Sequence, residues 1–423
     1  MKSLLKNNKL KDITLNITDG EHGTIKNSNN SNYHLLSNKN ILNNEIIINS
    51  KDRRISETDL KKIRKRTKLS KHDIVVSSVG TIGKSAIIKD NQVNYDFQRS
   101  VAIIKTNNKF ILPEYLNYFF QLPYVRKKLN FISNRSIQKC LFIEDFEDLD
   151  IDYGDLKDQK EIINFISIFD EKIRLNNLII SNSYRISKLI YEYWFQQFEF
   201  NNENDKPYLT NKGQLVYNDI LKINIPSKWE VKNLNKIETE IITGKTPPTK
   251  NKENFNGELP FISIGDIRNN IHITKYKKYL SKKGADTQKN KFVNKGSICV
   301  TCIASPGLVG ICSEISQTNQ QINSINIKNE ENRYYLYFYL KKYFQYTKAK
   351  SGNTFPNMNK EDFSDIKVIK PEKKILTKFN FIISPFMENI LEKEKENLQL
   401  IRKKMYLLPM LMNGQVHLNR AIS

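Results

Sequence analysis

The stretch DIVVSSVGTIGKSAII, Asp73 to Ile88, reads as a β-hairpin: an apolar strand, a turn carrying Gly80 and Gly83, and a second strand. It recurs in other wording as KGSICVTCIASPGLVGICSE, Lys295 to Glu314, where Gly307 and Gly310 answer to Gly80 and Gly83. Upstream, Asn38 to Ile41 answers to Gly265-Asp266-Ile267. Downstream, Gln98-Arg99-Ser100 answers to Gln320-Gln321-Ile322. Each copy then runs into a long periodic segment. A repeat of this length is a whole domain with its helix, since solenoid modules span only ~20–50 residues. The copies share turns and strands and differ in the residues between them, so one scaffold carries two different surfaces. That is the pattern of a two-headed reader.

From Leu156 to Phe195 there is neither Gly nor Pro, and Ile166, Ile173 and Ile180 return by sevens beside a stripe of Ile179, Ile186 and Tyr193. A helix over this stretch would measure ~60 Å, too long for an ordinary core helix. Glu372 to Met412 repeats the pattern with stripes at Leu391, Leu398 and Met405 and at Phe386, Lys393, Leu400 and Leu407; Pro385 predicts a kink or a broken first turn. Two such helices bury their seams on each other or on a partner, which predicts a coiled-coil spacer. The expected fold class is therefore mixed α/β (α+β): two domains of strand and helix separated by two long helices that form an antiparallel coiled coil. The expected divisions are residues 1–155, a helix over 156–200, a polar, turn-rich linker over 201–226, a second mixed domain over 227–371 and a second helix over 372–423.

The chain has 423 residues, 68 basic against 45 acidic, and a formal net charge of +23. An excess of this size points to a polyanion, and nucleic acid is the commonest. Four cysteines fit free thiols better than a disulfide frame. No apolar run approaches the ~18 residues of a membrane span and the start lacks a signal-peptide core, so a cytoplasmic protein is expected.

Several constellations suggest chemistry and fail on spacing. GTIGKS at Gly80 to Ser85 ends like a phosphate-binding loop, but Ser78 stands where the first Gly is needed and a strand follows instead of a helix. Cys299, Cys302, Cys312 and His272 could be drawn as zinc ligands, yet the segment alternates like a strand and reads better as buried thiols. Asp365, Glu372 and Lys374 mimic the spacing of a metal-dependent nuclease, but acids at a domain-to-helix junction commonly start a helix. What is left is binding surface with no catalytic constellation and no metal site.

Four further stretches resemble one known family, the specificity subunits of type I restriction-modification systems. KDQKEIINFISIFDEKIRLNNLIISNSYRISKLIYEYWF (Lys157 to Phe195) is similar to the family's central conserved helix. FEF, KPYLTNKGQLVYND and IPSKWEVKNL, between Gln197 and Leu234, resemble the connector into its second target-recognition domain. TGKTPPTKNKENFNGELPFISIGDIRN (Thr243 to Asn269) resembles the opening of that domain, and LLPMLMNGQV (Leu407 to Val416) the close of the second helix. LKDITLNITDGEHGT (Leu10 to Thr24) extends the likeness to nearly the whole chain. The second helix departs from the family's Gln-Lys opening, with EKKILTKF in its place.

The resemblance implies that each target-recognition domain binds half of a split, asymmetric DNA sequence. It also implies that two modification subunits dock on the helices and methylate adenine with S-adenosylmethionine, and that motor-nuclease restriction subunits use ATP and Mg. This chain itself would then bind no cofactor and carry no active site. Base and phosphate contacts are expected at Thr24 and Lys26 within Gly20 to Lys26, at Gln98 and Arg99, and at Arg135 and Ser136 in the first head. In the second they are expected at Lys245, Thr246, Thr249 and Lys250, at Arg268, at Gln320 and Gln321, and at Asn353 and Thr354. Ile166, Ile173, Ile180, Leu391, Leu398 and Met405 are the expected partner-binding seam. Lys61 to Lys68 and Lys275 to Lys283 are further candidates for phosphate. Two other readings remain open: a restriction enzyme with its own nuclease or methylase, and a coiled-coil scaffold with carbohydrate- or protein-binding heads.

Overall fold

The structure is a computed structural model that describes residues 5–134, 139–238, 240–351 and 357–418. The chain divides into two units, Met1–Lys172 with Leu400–Ser423, and Ile173–Gln399. In the first, Thr14–Asp19, Val101–Thr106, Ile74–Ser77 and Ser85–Ile87 form an antiparallel sheet in that order. A smaller sheet joins Arg54–Ile55, Tyr33–Leu36 and Tyr95–Phe97, the last two parallel. Strand Ile74–Ser77 is buried along its whole length, which is why it reads as a continuous apolar run instead of alternating.

The second unit repeats the order. Ile241–Thr243, Ile322–Ile325, Ile298–Thr301 and Val309–Cys312 form one sheet, extended by His272–Ile273. Lys278–Leu280, Phe255–Ile262 and Ser316–Thr318 form the other, again with one parallel pair and here with Phe292–Val293 added. In both units the strand leading in pairs antiparallel with the strand that feeds a long helix: Lys6–Lys9 with Asp150–Tyr153, and Glu230–Asn233 with Lys367–Lys370. The match at Asn38 to Ile41 also holds, because Asn40 and Asp266 both accept the backbone N–H of the serine that opens a short helix, Ser37 and Ser263.

The hairpin register differs from the one drawn by matching glycines. The Gly83 N–H donates to Ser77 O (3.0 Å) and the Gly307 N–H to Thr301 O (2.8 Å). Ser77 Oγ donates to Thr81 O and Thr301 Oγ1 to Ser305 O, both at 2.6 Å. So Gly83 answers to Gly307, and Gly80 (φ +73°) answers to Ala304 (φ +64°), which takes the left-handed conformation without being glycine. Gly310 lies inside a strand, against Ile267 and Ile273.

The two long helices are Leu156–Phe195 and Lys373–Met412, each 40 residues. Each contributes residues to both units. In the first unit, Lys404 of the C-terminal helix donates to Asp170 of the central helix (2.6 Å), which also accepts from the Tyr118 hydroxyl (2.8 Å). In the second, the Asn176 amide donates to Asn397 Oδ1 and the Asn397 amide to Asn177 Oδ1, both at 2.9 Å. Further along, Trp194 and Phe195 pack on Phe379, with ring centroids 6.0 and 4.8 Å apart. Partner numbers fall on one helix as they rise on the other, so the pairing is antiparallel. A buried amide pair within an apolar seam favours one register at some cost in stability.

Pro385 neither breaks nor ends its helix. The ring lies on an exposed side of the helix, and the carbonyl it frees belongs to Phe381, a residue that is 82% exposed. The segment expected as a linker is partly built: Leu215–Asn218 pairs with Ile223–Pro226, and Phe200 stacks on Tyr208 and Trp229 (4.6 and 4.9 Å). Among the described residues no helix is long and apolar enough to cross a membrane.

Candidate nucleic-acid interface

In each unit one sheet edge gathers two loops around a close backbone crossing. Gly20 lies so near the Phe97 and Gln98 carbonyls that a methyl group there would collide with both, and Gly244 meets the Thr318 and Asn319 carbonyls in the same way. The bonds around them correspond. Gly20 N–H donates to Val101 O and Gly244 N–H to Ile322 O; Glu21 N–H donates to Phe97 O and Lys245 N–H to Thr318 O. The turns that follow close alike, from Val101 N–H to Gln98 O (3.1 Å) and from Ile322 N–H to Asn319 O (3.2 Å). These bonds make Arg99 the counterpart of Gln320, Glu21 of Lys245 and His22 of Thr246. The expected pairing of Gln98-Arg99 with Gln320-Gln321 is therefore off by one place.

The hairpin turn joins the same edge. Ser78 N–H donates to Ser100 O, and Cys302 N–H to Gln321 O. Leu141 N–H donates to Ser78 O, while Met358 N–H donates to Cys302 O, so each unit docks a further segment on its turn. In the second unit the Thr246 hydroxyl donates to Gln320 Oε1 (2.6 Å), and Arg268 Nη2 lies 3.5 Å from Ser305 Oγ. Lys245, Thr246, Arg268, Gln320 and Gln321 thus belong to one edge, with Lys245, Arg268 and Gln320 exposed and Gln321 half-buried. Thr249 and Lys250 are exposed on the loop that continues from it. In the first unit Arg99 is exposed and Gln98 half-buried, and Thr24 and Lys26 are exposed beyond Glu21. Arg135, Ser136, Asn353 and Thr354 lie outside the described residues.

Sequence reasoning missed the groups that hold the first loop. Arg66 donates to Gly20 O and lies 3.1 Å from Asp19 Oδ1, and Asp19 also meets His22 Nε2 at 2.6 Å. The basic run Lys61 to Lys68 is accordingly not a uniform phosphate track. Arg64 turns inward to Asp96 (2.9 Å), a fully buried carboxylate that also accepts from Thr67 Oγ1 (2.8 Å). Burial raises the Asp96 carboxyl above the usual range, while the Arg64 and Thr67 bonds pull the other way. In the second run Lys283 is paired with Glu253.

The thiols and acids have local partners. Cys299 and Cys312 share one core cluster and Cys302 belongs to another, on the opposite face of the strand. All three are buried free thiols, as expected, and burial pushes Cys302 up to about 11. His272 pairs with Glu394 (3.2 Å), which also accepts the Ile271 and His272 backbone N–H groups. The GTIGKS stretch is the tight hairpin turn. Asp365 accepts from Asn233 (2.7 Å), and Lys374 lies between Glu372 and Glu203.

On the helices, Ile166 faces inward with no exposed surface, so it belongs to the core of its unit and cannot meet a partner. Ile180 packs on the second unit's core, and Ile173, Leu391 and Leu398 are half-buried. Met405 is exposed. Exposed apolar surface on the central helix lies instead on Ile168, Leu175, Leu178, Ile179, Ile186, Leu189 and Tyr193.

Comparison with known proteins gives the same twofold division. The family model of the type I restriction modification DNA specificity domain matches residues 6–182 and again 226–401. The chain is 28% identical over 401 residues to the type I restriction enzyme HindI specificity subunit of Haemophilus influenzae, covering 82% of this chain and 87% of that protein. It is 26% identical over 392 residues to the MjaIX specificity subunit of Methanocaldococcus jannaschii, covering 89% and 85%. Its fold is similar to a crystal structure of the type I restriction-modification S subunit from M. genitalium, with TM-score 0.55, 15% identity and 99% and 97% of the two chains covered.

Proposed function

The chain belongs to the type I restriction-modification DNA specificity family, and we propose that each of its two heads binds one half of a split, asymmetric DNA sequence while partner subunits carry out methylation and cleavage. The observation that carries this reading is the duplicated sheet edge, built by the same backbone bonds around Gly20 and Gly244 and fitted with different side chains. One frame with two fittings suits two unlike half-sites. Lysine and arginine near each edge supply sequence-independent affinity through phosphates, and fewer polar side chains read base edges.

In this account the chain has no active site of its own. Two modification subunits dock on the long helices and bring S-adenosylmethionine for adenine methylation, and restriction subunits bring ATP and Mg for cleavage. The exposed ridge from Leu175 to Tyr193 supports a docking role for the central helix, because large aliphatic groups at helical spacing are costly to leave in water. Helix length is expected to govern the gap between half-sites.

Selection of bound duplexes from a random pool by the purified chain with its modification subunits tests the reading. Two short fixed sequences separated by a constant unspecified gap are expected. A single continuous motif, or none, overturns it.

A further inference from the structure

The two sheet edges carry different polar side chains at one equivalent, exposed turn position. Arg99 and Gln320 occupy the same place in the same turn, fixed by the Gln98–Val101 and Asn319–Ile322 backbone bonds, and both are exposed. Beside them stand His22 and Thr246. In the second unit the Thr246 hydroxyl donates to Gln320 Oε1 at 2.6 Å, joining two loops far apart in sequence. In the first unit His22 is drawn instead to Asp19, and Arg99 is held through its backbone N–H, which donates to Glu21 O (3.0 Å).

We infer that this turn position is the principal base-reading residue of each head, with Gln320 reading an adenine, Arg99 reading a guanine, and Thr246 a positioning residue that fixes the Gln320 amide. The inference rests on the proposed reading that the heads bind DNA. A glutamine amide presents one acceptor and one donor, and adenine alone offers the complementary N6–H donor and N7 acceptor side by side in the major groove. A free amide can present these groups in either order. The Thr246 bond marks the oxygen, leaves its second lone pair for the adenine N6–H and leaves the Nε2–H groups for N7. Arginine has only donors, which suits the two acceptors of guanine, O6 and N7. Lys245, exposed one residue before Thr246, carries a charge but no acceptor and fits a neighbouring phosphate.

A structural role for the Thr246–Gln320 bond gives different results under substitution. Gln320→Glu keeps an oxygen for the Thr246 hydroxyl and nearly the same shape, but replaces the amide donor by an acceptor, which suits the cytosine N4 amino group. The test measures methylation rates by the full chain assembled with its modification subunits, on duplexes carrying each base at each position of the wild-type site. Gln320→Glu is expected to lower the rate on the wild-type site about tenfold or more and to move one position of one half-site from adenine to cytosine, leaving the other half-site unchanged. Arg99→Gln is expected to move one position of the other half-site from guanine to adenine. Thr246→Val is expected to blur the position that Gln320 reads and no other. Retention of the wild-type sequence by Gln320→Glu and Arg99→Gln, or an equal loss of rate on every sequence, overturns the inference. A wild-type complex that shows no split-sequence preference instead overturns the parent reading, so the two failures are distinguishable.

Discussion

Lys341 offers a test of how burial and charge are balanced in the second unit. Its ammonium lies over the rings of Tyr184 (4.8 Å) and Tyr337 (5.2 Å) and donates to Tyr337 Oη (3.2 Å). Burial pushes it down from 10.5 to about 8, and the charge of Lys188 acts in the same direction. Between about 8 and 10.5 the folded chain therefore binds fewer protons here than the unfolded chain, so this group's contribution to stability rises with pH through that window. Below about 8 the burial cost is fully present, on the order of 3 kcal/mol for a lowering of that size. Attraction to the two rings offsets about 1 kcal/mol of it. Lys341→Met removes the charge and keeps the length of the side chain, so a gain of about 2 kcal/mol is expected at pH 7. At pH 9.5 the gain should have shrunk by about 2 kcal/mol. The only two tryptophans, Trp194 and Trp229, are both buried in the core of this unit, so urea unfolding followed by tryptophan fluorescence reports on the relevant body. With a urea slope of about 2 kcal/mol/M the midpoint should rise by about 1 M at pH 7. A variant less stable than wild type at pH 7, or a gain that does not change with pH, would refute the reasoning.

Removing Arg64 leaves Asp96 buried without its cation, so Arg64→Ala should destabilise the first unit by about 3 kcal/mol, seen as lost hydrogen-exchange protection in strand Tyr95–Phe97. Lys245→Ala is expected to weaken binding to specific and random duplexes by the same factor and to reduce the slope of log affinity against log salt by about one unit. A change confined to one DNA sequence would assign Lys245 to base reading instead. Inserting seven residues into each long helix at paired positions adds ~10 Å of rod, roughly three base pairs of DNA. The recognised gap should lengthen while both half-site sequences stay as they were, as read by duplex selection.

The long helices were legible because apolar sevens sustained over so many residues have no other stable reading, and the central one, free of Gly and Pro, starts where Asp155 accepts the Lys157 and Asp158 backbone N–H groups. The repeat was legible too, but its register was not. Matching glycine to glycine chose Gly310, whereas the chain uses Ala304 for a left-handed turn residue and keeps Gly310 for close packing in a strand. Only the hydrogen bonds of Ser77 and Thr301 identify the true partners. That the helix runs on through Pro385 was not legible, because the sequence does not state whether the proline sits on an exposed or a buried side. The packing beside the linker was not legible either, because Phe200, Tyr208 and Trp229 are scattered in sequence and stack only once the chain has folded. At the candidate interface, the identities of exposed loop residues could be guessed from the repeat. The Thr246–Gln320 and Arg66–Gly20 bonds could not, since each joins residues far apart along the chain.

The most direct test of the account is a map of methylated adenines across the host genome, made with this gene intact and with it deleted. The account predicts that deletion abolishes methylation at one split, asymmetric sequence and nowhere else, and that restoring the gene brings it back. An unchanged methylation map after deletion would contradict the central claim that this chain directs its partners to a two-part DNA site.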